Sequence, residues 1–160
     1  MPRRKTTSFV RAIGTDIRYN SELLQKLINV IMERGKKNVA RSVVYEALES
    51  LEKKCGGSRE KALQLFNKAF QNIIPMVEVR PRRVGGSVYQ VPMAVGQQRA
   101  RSLALRWLID AAAARPAKTM GQRLAQELFD AVEGRGGAIK KRTDVHKMAE
   151  SNRAFSHYAW

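Results

Sequence analysis

Arginine is the residue whose type and spacing offer the plainest chemistry in this sequence. Arg80, Arg82 and Arg83 crowd into four positions, and Arg99 and Arg101 follow two residues apart. A guanidinium pairs with two phosphate oxygens at once and stacks on base faces. From Val79 to Ile109 the chain carries six basic residues and no acidic one. Further basic groups lie at Arg3, Arg4, Lys5 and Arg11, at Lys36-Lys37, at Arg135, and at Lys140-Lys141-Arg142. These groups form an extended phosphate-binding surface if the fold brings them to one side.

Catalytic chemistry finds little support. The sequence contains no Walker loop, no dinucleotide fingerprint and no zinc-protease helix motif. His146 and His157 are the only histidines and Cys55 the only cysteine, which cannot complete a usual zinc set. One cysteine also provides no intrachain disulfide, which suits a reducing cytoplasm. Cys55 reads as a small residue at a helix end. Glu46 and Glu49 stand one helical turn apart and read as a solvated face rather than an acid–base pair. Asp144 and Glu150 read as charge balance. The expectation is no enzyme, no cofactor and no metal.

The whole composition agrees. The chain has 160 residues, 44% of them hydrophobic, with 30 Lys plus Arg against 14 Asp plus Glu, a net charge of +16. That length fits one domain with a real apolar core. So large an excess repels itself in a compact state unless a polyanion neutralises it. Nucleic acid is the first candidate and an anionic membrane surface the second. No apolar run is long enough to span a bilayer, and Met1 to Phe9 lacks the apolar middle of a secretory signal. RNA is favoured over DNA because neither zipper heptads nor finger spacing occur, although a helix-turn-helix pair fits the sequence.

The elements that must position these cations follow from periodicity. Residues 1–19 have no period and read as a basic arm or a plain tail. Ser21 caps a first helix with Leu23, Leu24, Leu27, Ile28 and Ile31 at helical spacing, and Gly35 ends it. Lys36-Lys37 then sit in a loop. The second helix spans about 38–54, with Ala40, Val43, Val44, Ala47, Leu48 and Leu51 inward. Ser58 caps the third, where Ala62, Phe66, Ala69, Phe70 and Ile73 face the core and Pro75 stops the run. Residues 76–91 switch to a β pattern around Val84-Gly85-Gly86, predicting a hairpin that projects from a helical body. An isolated hairpin is marginal in water, so helices or a partner must support it. A fourth helix spans about 97–115, with Trp107 in its apolar stripe. Thr119 caps a fifth. A last helix runs from about 138 to 154, before an aromatic tail at 155–160. Two readings stand for Gly134 to Gly137: a plain turn, or a turn whose backbone touches phosphate. Two also stand for Tyr89: stacking on a base, or packing under the hairpin. The expected architecture is mainly α, one domain of six helices with an extended β-hairpin between the third and fourth.

Several of these segments together resemble a known family. Val77-Glu-Val-Arg-Pro-Arg-Arg-Val-Gly-Gly-Ser-Val-Tyr-Gln-Val-Pro92 is similar to the hairpin of the bacterial small-subunit ribosomal protein seven family. So are Arg106-Trp107-Leu108, Lys118-Thr119-Met120, Glu133 through Arg142, His146 through Glu150 and His157 through Trp160. The likeness spans nearly the whole chain. The resemblance implies a structural constituent of the cytoplasmic small ribosomal subunit, bound directly to the head (3′ major) domain of 16S ribosomal RNA. It implies a role in starting head assembly and a place beside the exit-site tRNA and the mRNA path, touching small-subunit protein eleven. On that likeness Arg3, Arg4, Lys5, Arg11, Lys36, Lys37, Arg80, Arg82, Arg83, Arg99, Arg101, Arg135, Lys140, Lys141 and Arg142 meet ribosomal RNA. Val84, Gly85 and Gly86 at the hairpin tip, with Lys147 on the last helix, approach tRNA. The competing readings are a non-ribosomal RNA chaperone, indifferent to RNA shape, and an RNA-modifying enzyme, for which no cofactor loop is found.

Overall fold

The computed structural model describes residues 13–54 and 56–158. Along the chain come α1 (Glu22–Ile31), α2 (Lys37–Lys54), α3 (Arg59–Ile73), β1 (Val77–Val84), β2 (Ser87–Ala94), α4 (Gln97–Ala113), α5 (Met120–Val132) and α6 (Gly137–Ser151). A 3-10 helix, Arg153–Tyr158, follows. Three starts have a common cause: the hydroxyls of Ser21, Ser58 and Thr119 accept the backbone N–H groups of Leu24, Lys61 and Gln122. Each satisfies a donor that the first helical turn leaves without a partner.

Helix α5 is the axis of the core. It packs against α2, α3 and α4, and α1 closes over α2 and α4. Leu124, Leu128 and Ala131 of α5 are buried with Leu48 and Leu51 of α2, Phe66 and Ile73 of α3 and Leu108 of α4. All six helices contribute to this one cluster. The five inward residues expected of α3 are all buried. Trp107 is partly buried against the same cluster.

Several boundaries differ from the sequence reading. Helix α1 stops at Ile31, where Met32 turns extended, and the chain then needs two left-handed residues, Arg34 and Gly35, to turn. Lys37 opens α2 rather than lying in the loop. Helix α4 ends at Ala113 because Pro116 disfavours helical geometry at Arg115. Helix α6 ends at Ser151, where the Asn152 amide turns back to donate to the Met148 carbonyl at 2.8 Å. Residues 153–158 tighten into the 3-10 helix instead of extending α6.

Buried carboxylates act as struts. Glu127 on α5 is 1% exposed. Its Oε2 accepts from Arg115 Nε at 2.5 Å, and its Oε1 accepts the Ala138 N–H in the first turn of α6 at 2.8 Å. Arg115 also pairs with Asp130. Burial opposes the charge on Arg115, but these two carboxylates outweigh it and hold the guanidinium above its ordinary pKa. Gly136 sits at φ +103°, and a Cβ there would lie 2.7 Å from Glu127 Oε1. Glycine is what lets the backbone turn this close to the carboxylate. Asp16, 1% exposed, does similar work near the other end. It accepts the N–H groups of Arg18 and Tyr19 and the Tyr45 hydroxyl, while Tyr19 donates to Glu52 and Arg18 pairs with Glu49. Residues 16–19 are thereby strapped along α2. Glu46, expected on a solvated face, accepts from the Thr119 hydroxyl at 2.7 Å and ties α2 to α5.

The hairpin pairs Val77 with Ala94 through Val84 with Ser87, closed by Gly85 and Gly86, both at positive φ. Such a two-residue turn favours glycine because its twist matches that of the strands. The second strand runs to Ala94, past the expected end at 91. Counting from the turn, Pro81 and Pro92 both fall at pairs that exchange no backbone bonds, so neither breaks the ladder. Tyr89 packs on Phe155 and Tyr158, with ring centroids 5.0 and 5.7 Å away. At the root of the hairpin the Met76 N–H donates to His146 Nε2 at 3.2 Å.

Two expectations follow. Glu127→Ala strands Arg115 and the Ala138 N–H, and should lower stability by about 3–5 kcal/mol in urea unfolding; a loss under about 1 kcal/mol would show that the strut is dispensable. His146 accepts only when Nε2 is unprotonated, and burial, then Arg142, hold its pKa below 6.5. The unfolded chain therefore binds the proton more readily. This contribution is present above about pH 6.5 and disappears as pH falls through the lower folded-state value. The Met76 amide resonance should shift with that titration, and His146→Gln should abolish the shift.

Candidate nucleic-acid interface

The register of β1 and β2 sorts the hairpin arginines by face. Arg80 and Arg82 lie with Glu78 on the side that carries Tyr89 and buried Val91, and Arg83 lies on the opposite side with Val88. Arg82 is half-buried and directly opposite Tyr89. Arg83 is exposed. Three arginines that are neighbours in sequence thus address two surfaces. Tyr89 uses its ring on the 3-10 helix, which settles its position in favour of packing.

Glu78 lies one residue outside the acid-free stretch and organises its front. It is 7% exposed. Arg80 Nε donates to Oε1 at 2.6 Å, and Arg99 Nε reaches Oε2 at 2.7 Å and Oε1 at 2.9 Å. Burial pushes the Glu78 carboxyl up, but the bonds from Arg99 and Arg80 outweigh it and keep the pKa below the usual range. The two guanidiniums come from β1 and from the first turn of α4. That turn has no side-chain cap at Gly96.

Arg101, two residues further along α4, faces a groove of about 650 Å³ between α1 and α4. Arg106, Lys26, Asn29, Gln98 and Ser102 line it, with Ile13, Val30 and Leu105 as apolar floor and Glu22 at the rim. Glu22 is spoken for by Lys26 at 2.8 Å. Lys26 and Asn29 escaped the sequence reading. They occupy the polar face of α1, and only the long-range packing of α1 on α4 brings them beside Arg101.

The remaining basic sites have different surroundings. Lys36 is exposed at the α1–α2 turn and Lys37 is half-buried. Arg135 is exposed and pairs with Glu133. Lys140, Lys141 and Lys147 are exposed on α6. Arg142 instead donates to the Asn72 carbonyl at the end of α3, and Asn72 in turn donates to Ala131 at 2.9 Å. Arg142 is thus part of the joint between α3, α5 and α6. At the Gly134–Gly137 turn, Glu127 takes one N–H of the α6 start, that of Ala138. Gly85 and Gly86 are exposed at the hairpin tip and Val84 is half-buried. Arg3, Arg4, Lys5 and Arg11 lie outside the described residues, as do Cys55, Ala159 and Trp160. Among the described residues no group of His, Cys, Asp or Glu could hold a metal ion, and no helix is long and apolar enough to cross a membrane.

Residues 2–153 match the family described as ribosomal protein S7p/S5e. The chain belongs to that family. It is 53% identical over 160 residues to the small ribosomal subunit protein uS7 of Idiomarina loihiensis, covering all of both chains. It is 52% identical over 158 residues to the protein of the same name from Chromohalobacter salexigens, covering 99% of each. The corresponding protein of Blochmanniella floridana is 50% identical over 160 residues, again covering all of both. Membership bears out the resemblance of the hairpin and helix motifs, and it makes the chain a structural ribosomal protein rather than an enzyme. Against that identity, the exposed cations of the hairpin, the α4 start and the α1 groove are the residues to weigh as RNA ligands, while Arg115 and Arg142 belong to the fold.

This division can be measured. Arg142→Ala should destabilise the protein by about 1–3 kcal/mol, because the Asn72 carbonyl loses a charged donor. Arg83→Ala should change stability by less than about 0.5 kcal/mol, as exposed substitutions do. Equal effects in urea unfolding would contradict the division.

Proposed function

We propose that the chain binds small-subunit ribosomal RNA directly, in the head (3′ major) domain, as a structural component of the small subunit. The observation that carries this reading is the position of α4. Its first two turns hold Arg99 against the hairpin root and Arg101 in the α1 groove, so one helix start supplies a cation to each. Phosphate contacts at several such points fix the register of a folded RNA, and shape supplies selectivity. The basic arm with Arg3, Arg4, Lys5 and Arg11, the Lys36-Lys37 turn, Arg135 and Lys140-Lys141 add further phosphate contacts in this reading.

The finer roles rest on the family likeness. Binding several RNA segments at once suits a protein that starts head assembly. The exposed tip at Gly85-Gly86 and exposed Lys147 suit a position beside exit-site tRNA and the mRNA path, with small-subunit protein eleven as neighbour. The second reading, a non-ribosomal RNA chaperone, would use the same charge without preference for RNA shape.

Titration of a head-domain RNA fragment and an unrelated RNA of equal length across a salt series separates the two. The head-domain fragment should bind more tightly at every salt. Its affinity should fall steeply, by roughly 0.7–0.9 in logarithmic slope for each phosphate neutralised. Equal affinity for both RNAs throughout would sink the ribosomal reading.

A further inference from the structure

A buried acid at the centre of a cationic surface requires a reason, since this chain already needs its positive charge for a polyanion. Glu78 could be replaced by an uncharged residue with a gain of one unit in net charge, yet its carboxylate is held by arginines from two separate elements. The carboxylate is nearly inaccessible, while the Arg80 and Arg99 side chains are 44% and 54% exposed. The contact therefore faces inward and the cations outward. Arg80 holds Oε1 through both Nε and Nη2 at 2.6 Å. Arg99 engages through Nε alone, so its two terminal nitrogens, the edge that forks to phosphate, are not spent on Glu78.

Two guanidiniums so close together repel each other, and each loses side-chain entropy when fixed. A shared carboxylate removes both obstacles before any ligand arrives. It cancels one charge of the pair, and it fixes each guanidinium by hydrogen bonds. It also pins β1 to α4, setting the direction of the hairpin relative to the groove holding Arg101. Ordering in advance is what converts charge into selective affinity.

We infer that Glu78 is a positioning residue for RNA binding, anchoring Arg80 and aiming the terminal fork of Arg99 at phosphate where the hairpin meets α4. The inference rests on the RNA-binding reading above. Its signature is a reversal of sign: removing this negative charge weakens selective binding although the protein becomes more cationic.

The test compares Glu78→Gln with Glu60→Gln, which makes the same change in charge on an exposed residue in the first turn of α3, at the opposite end of that helix from the hairpin. Both are titrated with the head-domain RNA fragment and with the unrelated RNA, and thermal unfolding is followed in parallel. Glu60→Gln should leave or slightly tighten binding to both RNAs. Glu78→Gln should lose about tenfold on the head-domain fragment, the scale of one charge-assisted contact, with no loss on the unrelated RNA. Arg99→Lys serves as the second variant, because it keeps the charge and leaves Glu78 paired with Arg80 if Glu78→Gln folds poorly. It too should lose selectivity, since an ammonium cannot present the fork. If both Glu78→Gln and Arg99→Lys retain the wild-type preference, the inference is overturned. A wild-type protein without preference would instead sink the RNA reading itself, and this inference with it.

Discussion

The Glu127 carboxylate is the interaction on which the helical body turns. It sits at the middle of α5, the helix that α2, α3 and α4 all pack against. One of its oxygens holds Arg115 beyond the end of α4, and the other takes the Ala138 N–H that opens α6. Three consecutive helices are thus referred to a single buried charge. A charge without water is expensive, and hydrogen bonding from both sides is what makes it tolerable. The same arrangement dictates a glycine at position 136, where a side chain would collide with the carboxylate. Register between α4, α5 and α6 follows from this point, and with it the place of α4, whose other end carries the cations of the interface.

How much of this was legible in the sequence depended on the range of the physics. Ser21, Ser58 and Thr119 announced their helices because a cap acts within three residues. The hairpin was visible for the same reason, in Gly85-Gly86 and the flanking valines. The spacing of apolar residues, with proline and glycine stops, carried the rest of the architecture. Strands and helices were misplaced by a few residues where the local signal pointed elsewhere: Gly35 as a helix end, and Ala154 as a continuation of α6. The partners of charged groups were not legible at all. Glu78 precedes a stretch chosen for its lack of acids, yet it is the acid that organises the stretch. Arg142 looked like one of three adjacent cations, but α3 claims it. Nothing in spacing distinguishes a lysine facing solvent from an arginine capping a distant carbonyl.

The excess of positive charge is therefore less uniform than +16 suggests. Glu49, Glu52 and Asp16 strap residues 16–19 to α2, and Glu127 and Asp130 absorb Arg115. These acids are spent on partners within the chain. Exposed cations remain on the hairpin, the α4 start and the groove beside α1, and also on α2, α3 and α6.

The aromatic contact of Tyr89 with Phe155 and Tyr158 bears on the order in which the chain takes shape. Phe155 is made 66 residues after Tyr89, so a hairpin emerging during synthesis has no brace on that side until three further helices have followed it. Two strands alone are marginal in water. The arginine-bearing hairpin is thus synthesised well before it is held still. The brace ties its readiness for a ligand to the near-completion of the chain.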